Sequence, residues 1–242
     1  MPRRARVVFP GLPHHVTQRG NNRQQLFFAP EDYRYYLELL ADQARRCGVE
    51  VLGYCPMPNH VHLIAAPENE ASLGRALGRT HSEFALAVNR TEGRTGHVFQ
   101  NRFFSCVLGG THLLRALRYV ERNPVRAGLA AVAWGWPWSS ASVHTAANAV
   151  DAVISFDWIG QFGRWDYGEW KELLSEGGAG DVEEAIRRAT RTGEPVGSRD
   201  FVAGLERRAG KRLVVLERGR PRRVPQSPEE RARQGCLFQG IE

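Results

Sequence analysis

VEVLGYCPMPNHVHLIAA, residues 49–66, decides the fold. Val49 to Tyr54 is rich in β-branched and apolar residues and reads as a strand. Pro56-Met57-Pro58-Asn59 reads as a turn, since proline presets φ and asparagine tolerates tight backbone geometry. His60 to Ala66 reads as a second strand, which makes the stretch a hairpin. Side chains two apart on a strand share a face. His60 and His62 therefore project together, while Val61 and Leu63 point the other way, into a core.

A helix is expected on each side of the hairpin. Over Glu31 to Cys47, the residues Tyr33, Tyr36, Leu37, Leu40, Ala44 and Cys47 recur at helical spacing, and Gly48 stops the run. Over Ser72 to Asn89, Leu73, Leu77, Phe84 and Val88 form a buried side. Further out, Arg6 to Thr17 is a strand broken by Pro10-Gly11 and Pro13, and Gln18 to Gln25 is a polar loop. Phe103 to Leu108 is a strand. Thr111 to Arg122 is a helix halted by Pro124, with Leu113, Leu114, Leu117 and Val120 as its apolar face. The order β-α-β-β-α-β plus a helix is the α+β, ferredoxin-like split βαβ sandwich. Past Gly135 the periodicity weakens. Trp134, Trp136, Trp138, Trp158, Trp165 and Trp170 crowd this stretch and are expected to pack a small helical extension onto the first domain. Gly197 to Phe201 leads into an N-capped helix ending at Arg208.

The charge divides in the same way. The chain has 242 residues, 42% of them hydrophobic and 24% charged, as in a globular protein. Its net charge of +7 is uneven. Residues 1–126 carry 17 basic and 10 acidic groups, residues 127–206 carry 6 and 12, and residues 207–242 carry 10 and 4. That segregation suggests a domain over 1–145, an acidic Trp-containing helical extension over 146–206, and a basic, flexible tail over 207–242. Lys171 and Lys211 are the only lysines; the other basic residues are arginines, whose forks suit phosphates and stack on bases. No apolar run approaches the roughly 18 residues that span a membrane. The basic N-terminus lacks the apolar stretch of a signal peptide. Cys47, Cys55, Cys106 and Cys236 lie far apart, which points to reduced thiols in the cytoplasm and away from a disulfide framework.

Two imidazoles on one face are half of a divalent metal site; the alternative is a pair of solvated surface histidines. The helix 111–122 adds to the first reading. Tyr119 falls off its apolar face, on a polar stripe with His112, Arg115 and Asn123. The Asn123 amide oxygen is a suitable hard ligand for Mg²⁺ or Mn²⁺. Tyr33 and Tyr36 fit a core stripe instead, Tyr35 reads as exposed, and Tyr54 precedes the turn.

Residues 13–23 (PHHVTQRGNNR), 57–62 (MPNHVH), 102–105 (RFFS) and 119–129 (YVERNPVRAGL) together resemble the single-tyrosine HUH transposases, and within them the REP-associated tyrosine transposases of bacteria. The resemblance covers roughly residues 5–145, including Trp138-Ser139-Ser140. It implies an HUH endonuclease fold in which His60, His62 and Asn123 bind Mg²⁺ or Mn²⁺ and Tyr119 is the nucleophile. The implied reaction is cleavage and rejoining of single-stranded or hairpin DNA through a 5′-phosphotyrosine, by a monomer or a homodimer. A phenol with a pKa near roughly 10 is a weak nucleophile at neutral pH, so a cation on the phosphate answers a chemical need. Phosphodiester energy is retained, and the chain has no Gly-x-x-x-x-Gly-Lys-Ser/Thr loop for ATP.

DNA contacts are expected from Arg19, Asn21, Asn22 and Arg23 in the polar loop, and from Arg102, Arg115, Arg122 and Arg126 around the site. In the tail, Arg220 and Arg222 lie within Arg218-Gly219-Arg220-Pro221-Arg222-Arg223, which resembles an AT-hook for the A·T minor groove; the alternative is a basic tail without preference. Two other functions compete with the enzyme: a DNA-binding protein of the same fold that has lost catalysis, and a zinc-dependent hydrolase using His60, His62 and Cys55.

Overall fold

The computed structural model describes residues 7–155, 165–177 and 181–214. Strand β1 (His14–Arg19), helix α1 (Pro30–Cys47), strands β2 (Val49–Met57) and β3 (His60–Pro67), helix α2 (Ser72–Thr91), strand β4 (Phe104–Val107) and helix α3 (Gly110–Glu121) follow in the expected order. The strands form one antiparallel sheet, ordered β2-β3-β1-β4. This is the ferredoxin-like α+β plan read from the sequence.

Two strand boundaries move, and proline accounts for both. β1 begins only after Pro13, because Pro10 and Pro13 have no N–H to give a ladder. It then runs on through Gln18 and Arg19, which the sequence reading had placed in a loop. The polar loop contracts to a single 3₁₀ turn, Asn21–Arg23. β2 continues through Pro56 to Met57, which is permitted because β2 is an edge strand. The connection to β3 is then only Pro58-Asn59.

Alternation along the strands builds two different faces. Val16, Val51, Val61, Leu63 and Ala65 pack against Tyr36, Leu40, Leu73, Leu77 and Phe84 of α1 and α2. On the opposite face, Cys55, Met57, Ile64, Ala66 and Cys106 lie under Leu113, Ala116, Leu117 and Val120 of α3. Leu114, expected on the buried side of α3, is 42% exposed, whereas Glu121 is fully buried. The exchange arises because α3 is gripped along a second side by later parts of the chain. One Glu121 carboxylate oxygen accepts from Ser140 Oγ and His144 Nδ1, and the other from Trp170 Nε1 at 2.8 Å.

Those later parts are α4 (Asn123–Arg126), α5 (Ala141–His144), α6 (Tyr167–Ser175), α7 (Asp181–Thr192) and α8 (Arg199–Ala209). Helix α7 packs on β4, β1 and α3, and its Ile186 and Ala189 join the core under the sheet. Trp138 stacks on Tyr33 at 4.8 Å, and Trp165 lies 5.0 Å from Trp170; Trp158 lies outside the described residues. Ser198 caps α8 by accepting from the Phe201 amide at 3.1 Å. Residues 207–214, read from the sequence as the start of a flexible tail, are packed: α8 runs to Ala209, and Leu213 is buried with Phe9, Val107 and Leu205. Beside the sheet's two outer strands, Ile154 pairs with Val51 and Val196 with Leu108, both in parallel. Among the described residues, no helix is long and apolar enough to cross a membrane.

Candidate active site

The strand ladder sets the site. Across β3 and β1, His60 faces Arg19 and His62 faces Thr17; Thr17 in turn faces Phe104 on β4. These side chains occupy the face opposite Val61 and Leu63. His15, two residues before Thr17, lies diagonally from His62 on the same face. His15, His60 and His62 line a cavity of about 670 Å³ that is also walled by Arg19, Phe104, Tyr119, Asn123, Arg126, Arg187 and Thr190.

Tyr119 sits in that wall. Its ring meets His62 and His15 edge-on, each at 5.6 Å between centroids. Instead of being solvated on a polar stripe, it is only 4% exposed. Helix α7 covers the end of the stripe that holds Tyr119; His112 and Arg115, expected on the same stripe, do not line the cavity, and Arg115 is exposed. The other candidate tyrosines are occupied elsewhere. Tyr33 and Tyr36 belong to the core on the far face, Tyr54 donates to Asp151 at 2.6 Å, and Tyr35 is exposed on α1. Among the described residues, Tyr119 is the tyrosine that shares the cavity with the histidines.

The imidazoles are neutral and oriented. Burial lowers the pKa of His60 to about 4 and that of His15 to about 3, and it drives His62 well below its ordinary value. Cationic Arg19 and Arg126 push His60 and His62 the same way. His60 Nδ1 bonds to Asn59 Oδ1 at 2.7 Å and His62 Nδ1 to His15 Nε2 at 3.0 Å. Each ring therefore keeps Nε2 for a ligand, and hydrogen bonding of the other nitrogen is how proteins fix a metal-binding histidine. The relay extends outward: His15 Nδ1 meets Thr190 Oγ1 of α7 at 2.7 Å. His15 and Thr190 were not singled out by the sequence reading. His15 carried a signal, since it shares the strand parity of Thr17 and Arg19; Thr190, 175 residues away, carried none.

Asn123 reaches the cavity but is engaged. Its Nδ2 donates to the Tyr119 and Val120 carbonyls at 2.9 and 3.1 Å, tying off the end of α3, and its Oδ1 accepts from Arg126. Among the described residues, no three His, Cys, Asp or Glu side chains form a ready cage for a metal ion. The donor set is thus two neutral imidazoles with the Asn123 amide oxygen beside them, and it suits a divalent cation that retains outer ligands. Cys55 does not line the cavity. Burial pushes its thiol up, away from the thiolate that zinc binding requires.

The expected DNA-binding residues separate into groups. Arg19 and Arg126 line the cavity. Asn21, Asn22 and Arg23 form the turn beside it, with Asn22 and Arg23 at φ 50° and 61°, a region that costs L-residues energy and tends to persist where a surface must be presented. Arg102 and Arg115 are exposed away from the cavity wall. Arg122 is bound to the Glu176 carbonyl, a structural role. Arg220 and Arg222 lie outside the described residues.

A ferredoxin-like sheet thus carries a His-hydrophobic-His pair that faces a tyrosine on a following helix. Residues 9–123 match the model of the family described as "Transposase IS200 like". A "Putative REP-associated tyrosine transposase" of Haemophilus influenzae is 28% identical over 102 residues, 38% of this chain and 58% of that protein. The chain thus matches less than two thirds of that relative's length. The structure of a REP-associated tyrosine transposase bound to a REP hairpin superposes with a TM-score of 0.53 at 20% identity, covering 64% of this chain and 92% of that one. It shows the same fold. A structure described as "a putative transposase from deinococcus radiodurans r1" overlaps more loosely, with a TM-score of 0.36 at 20% identity, covering 50% and 97% of the two chains.

Proposed function

We propose that this protein is a metal-dependent transposase or endonuclease that cleaves and rejoins single-stranded or hairpin DNA through a 5′-phosphotyrosine. The observation that carries this reading is the meeting of His60, His62 and Tyr119 in one cavity, built from strand and helix positions 57 residues or more apart. His60, His62 and Asn123 would hold Mg²⁺ or Mn²⁺. When bound, the cation supplies Lewis-acid polarisation of a phosphodiester. The chain's own groups do the rest. His15 orients His62, Arg19 and Arg126 hold phosphates at the cavity mouth, and Tyr119 supplies the nucleophilic oxygen. Asn21, Asn22 and Arg23 bind the strand beside it. The tail arginines, Arg220 and Arg222 among them, form an accessory DNA contact. The protein acts as a monomer or a homodimer.

The test is detection of a covalent protein–DNA adduct on a hairpin oligonucleotide with Mg²⁺ or Mn²⁺. Tyr119→Phe should abolish the adduct and leave DNA binding intact; full activity in that variant would remove the assignment. One observation favours a second reading: Arg126 occupies the oxygen of Asn123. A protein that binds DNA without cleaving it fits that arrangement, and a mobility shift with no adduct at any metal concentration would select it.

A further inference from the structure

Helix α7 lies outside residues 9–123, yet it delivers a guanidinium to the tyrosine. The central carbon of the Arg187 guanidinium stands 5.7 Å from the centroid of the Tyr119 ring, and the tyrosine is the largest influence raising the Arg187 pKa. Arg126 lies over the same ring at 4.5 Å. Both arginines line the cavity that holds His60 and His62.

The placement is locked. Arg187 is braced within its helix by Glu184 at 3.3 Å. Glu183 bridges to Arg126 at 3.2 Å. Thr190, one turn along, bonds His15 on β1 and so pins α7 to the sheet. The polar Tyr119 beside it raises the pKa of Arg187, with the Glu184 and Glu183 charges adding to it. Arg187 is therefore a permanent cation: it cannot accept a proton, and it acts only as a donor.

Resting on the tyrosine chemistry proposed above, we propose that Arg187 is a catalytic residue, a fixed donor to the attacking oxygen of Tyr119 and to the non-bridging oxygens of the scissile phosphodiester. In the step it serves, the Tyr119 hydroxyl oxygen bonds to phosphorus as the bond from phosphorus to the 3′ oxygen breaks. The electron pair of the broken bond leaves on the 3′ oxygen, which takes a proton from water. The phenolic proton passes to water, so protons balance over the step. Negative charge is spread over the attacking and non-bridging oxygens on the way. A preorganised guanidinium fork engages these oxygens more strongly in the transition state than in the ground state. Arg126, on the ring itself, holds the phenol in line. The acidic extension is by this reading a wall of the active site.

The experiment uses the full chain on a pool of hairpin oligonucleotides with randomised single-stranded flanks, with Mn²⁺, under single-turnover conditions. Adduct formation, DNA affinity by mobility shift and thermal melting are measured for wild type, Arg187→Gln, Arg187→Lys and Tyr119→Phe. The Arg187 side chain is 39% exposed, so its replacement leaves the core packed. Arg187→Gln should slow adduct formation by about 10²- to 10³-fold, while affinity falls by about tenfold or less. Arg187→Lys keeps the charge but loses the planar fork, and should recover part of the rate. A wild-type rate in Arg187→Gln overturns the proposal. So does a faster rate, which would make Arg187 a plug on the tyrosine. No adduct from the wild type, or cleavage by Tyr119→Phe, instead overturns the tyrosine reading on which the proposal stands.

Discussion

The two faces of the sheet are cut from alternate residues of the same strands and end with opposite characters. Toward α1 and α2, β1 and β3 present Val16, Val61, Leu63 and Ala65, and the layer closes as a continuous apolar core. Toward α3 and α7, the same strands present His15, Thr17, His60 and His62, and the layer stays open as a cavity. Apolar residues can be covered by any well-shaped helix. Buried polar residues must be satisfied by named partners, because an unpaired polar group loses its water without replacement. The second face therefore needs specific contacts: His15 to His62, Thr190 to His15 and Arg126 to Asn123. Both faces bury apolar side chains, and the polar cavity is confined to the second.

Adjacent substitutions on β3 should separate the two roles. His62→Ala should lower cleavage by at least about a thousandfold, equivalent to about 4 kcal/mol, through loss of a metal ligand, with little change in melting. Metal titration and adduct assays check it; near-normal Mn²⁺ binding would break the contrast. Glu121→Ala should cost about 3–5 kcal/mol, because Ser140, His144 and Trp170 lose a shared buried acceptor that ties α3 to α5 and α6. Leu63→Ala, one residue beyond His62 and facing α1 and α2, should cost about 3 kcal/mol in denaturant unfolding and leave Mn²⁺ affinity unchanged.

A pH series sharpens the comparison further. On the closed face, burial lowers His81 to about 3, and on β1 it lowers His14 to about 4. Both groups would bind a proton near 6.5 once unfolded. Their folded values lie below their unfolded ones, so the stability they contribute is complete above about pH 6.5 and is lost as pH falls toward 4. The slope is about 1.4 kcal/mol per pH unit for each histidine. His81→Phe should flatten the acid limb by one proton's worth, and an unchanged slope would show that His81 is not a source of it. Asn22→Gly is the smallest effect expected. Relieving φ 50° should change stability by less than about 1 kcal/mol, while hairpin affinity falls through the lost side chain.

The closed face was legible because it follows from period alone: Tyr36, Leu40, Leu73, Leu77 and Phe84 recur at helical steps, and the hairpin 49–66 names its own inward residues. The histidine pair was legible for the same reason. Tyr119 stood out because it is an aromatic residue off the apolar face of its helix, on a polar stripe that continues to Asn123. The open face resisted at points where distant segments decide. The end of the stripe holding Tyr119 is buried where α7 lies on it, and nothing local to Thr111–Arg122 announces a helix that begins at Asp181. Leu114 and Glu121 exchange places for a related cause: the partners of Glu121 arrive from residues 140, 144 and 170. Periodicity assigns a helix one inward side, and α3 has two.

The strands paired with the sheet's outer edges bear on how the molecule behaves in a crowded solution. β2 and β4 are the edges, where a bare row of backbone donors and acceptors invites another chain to add itself. Ser155 bonds to the Val51 carbonyl at 2.8 Å and Val196 to that of Val107 at 2.9 Å, so segments well after the first 145 residues shield part of both edges. A fragment ending at residue 145 would keep all four strands and expose both rims. Its hazard would be joining another copy, edge to edge, before it ever met DNA.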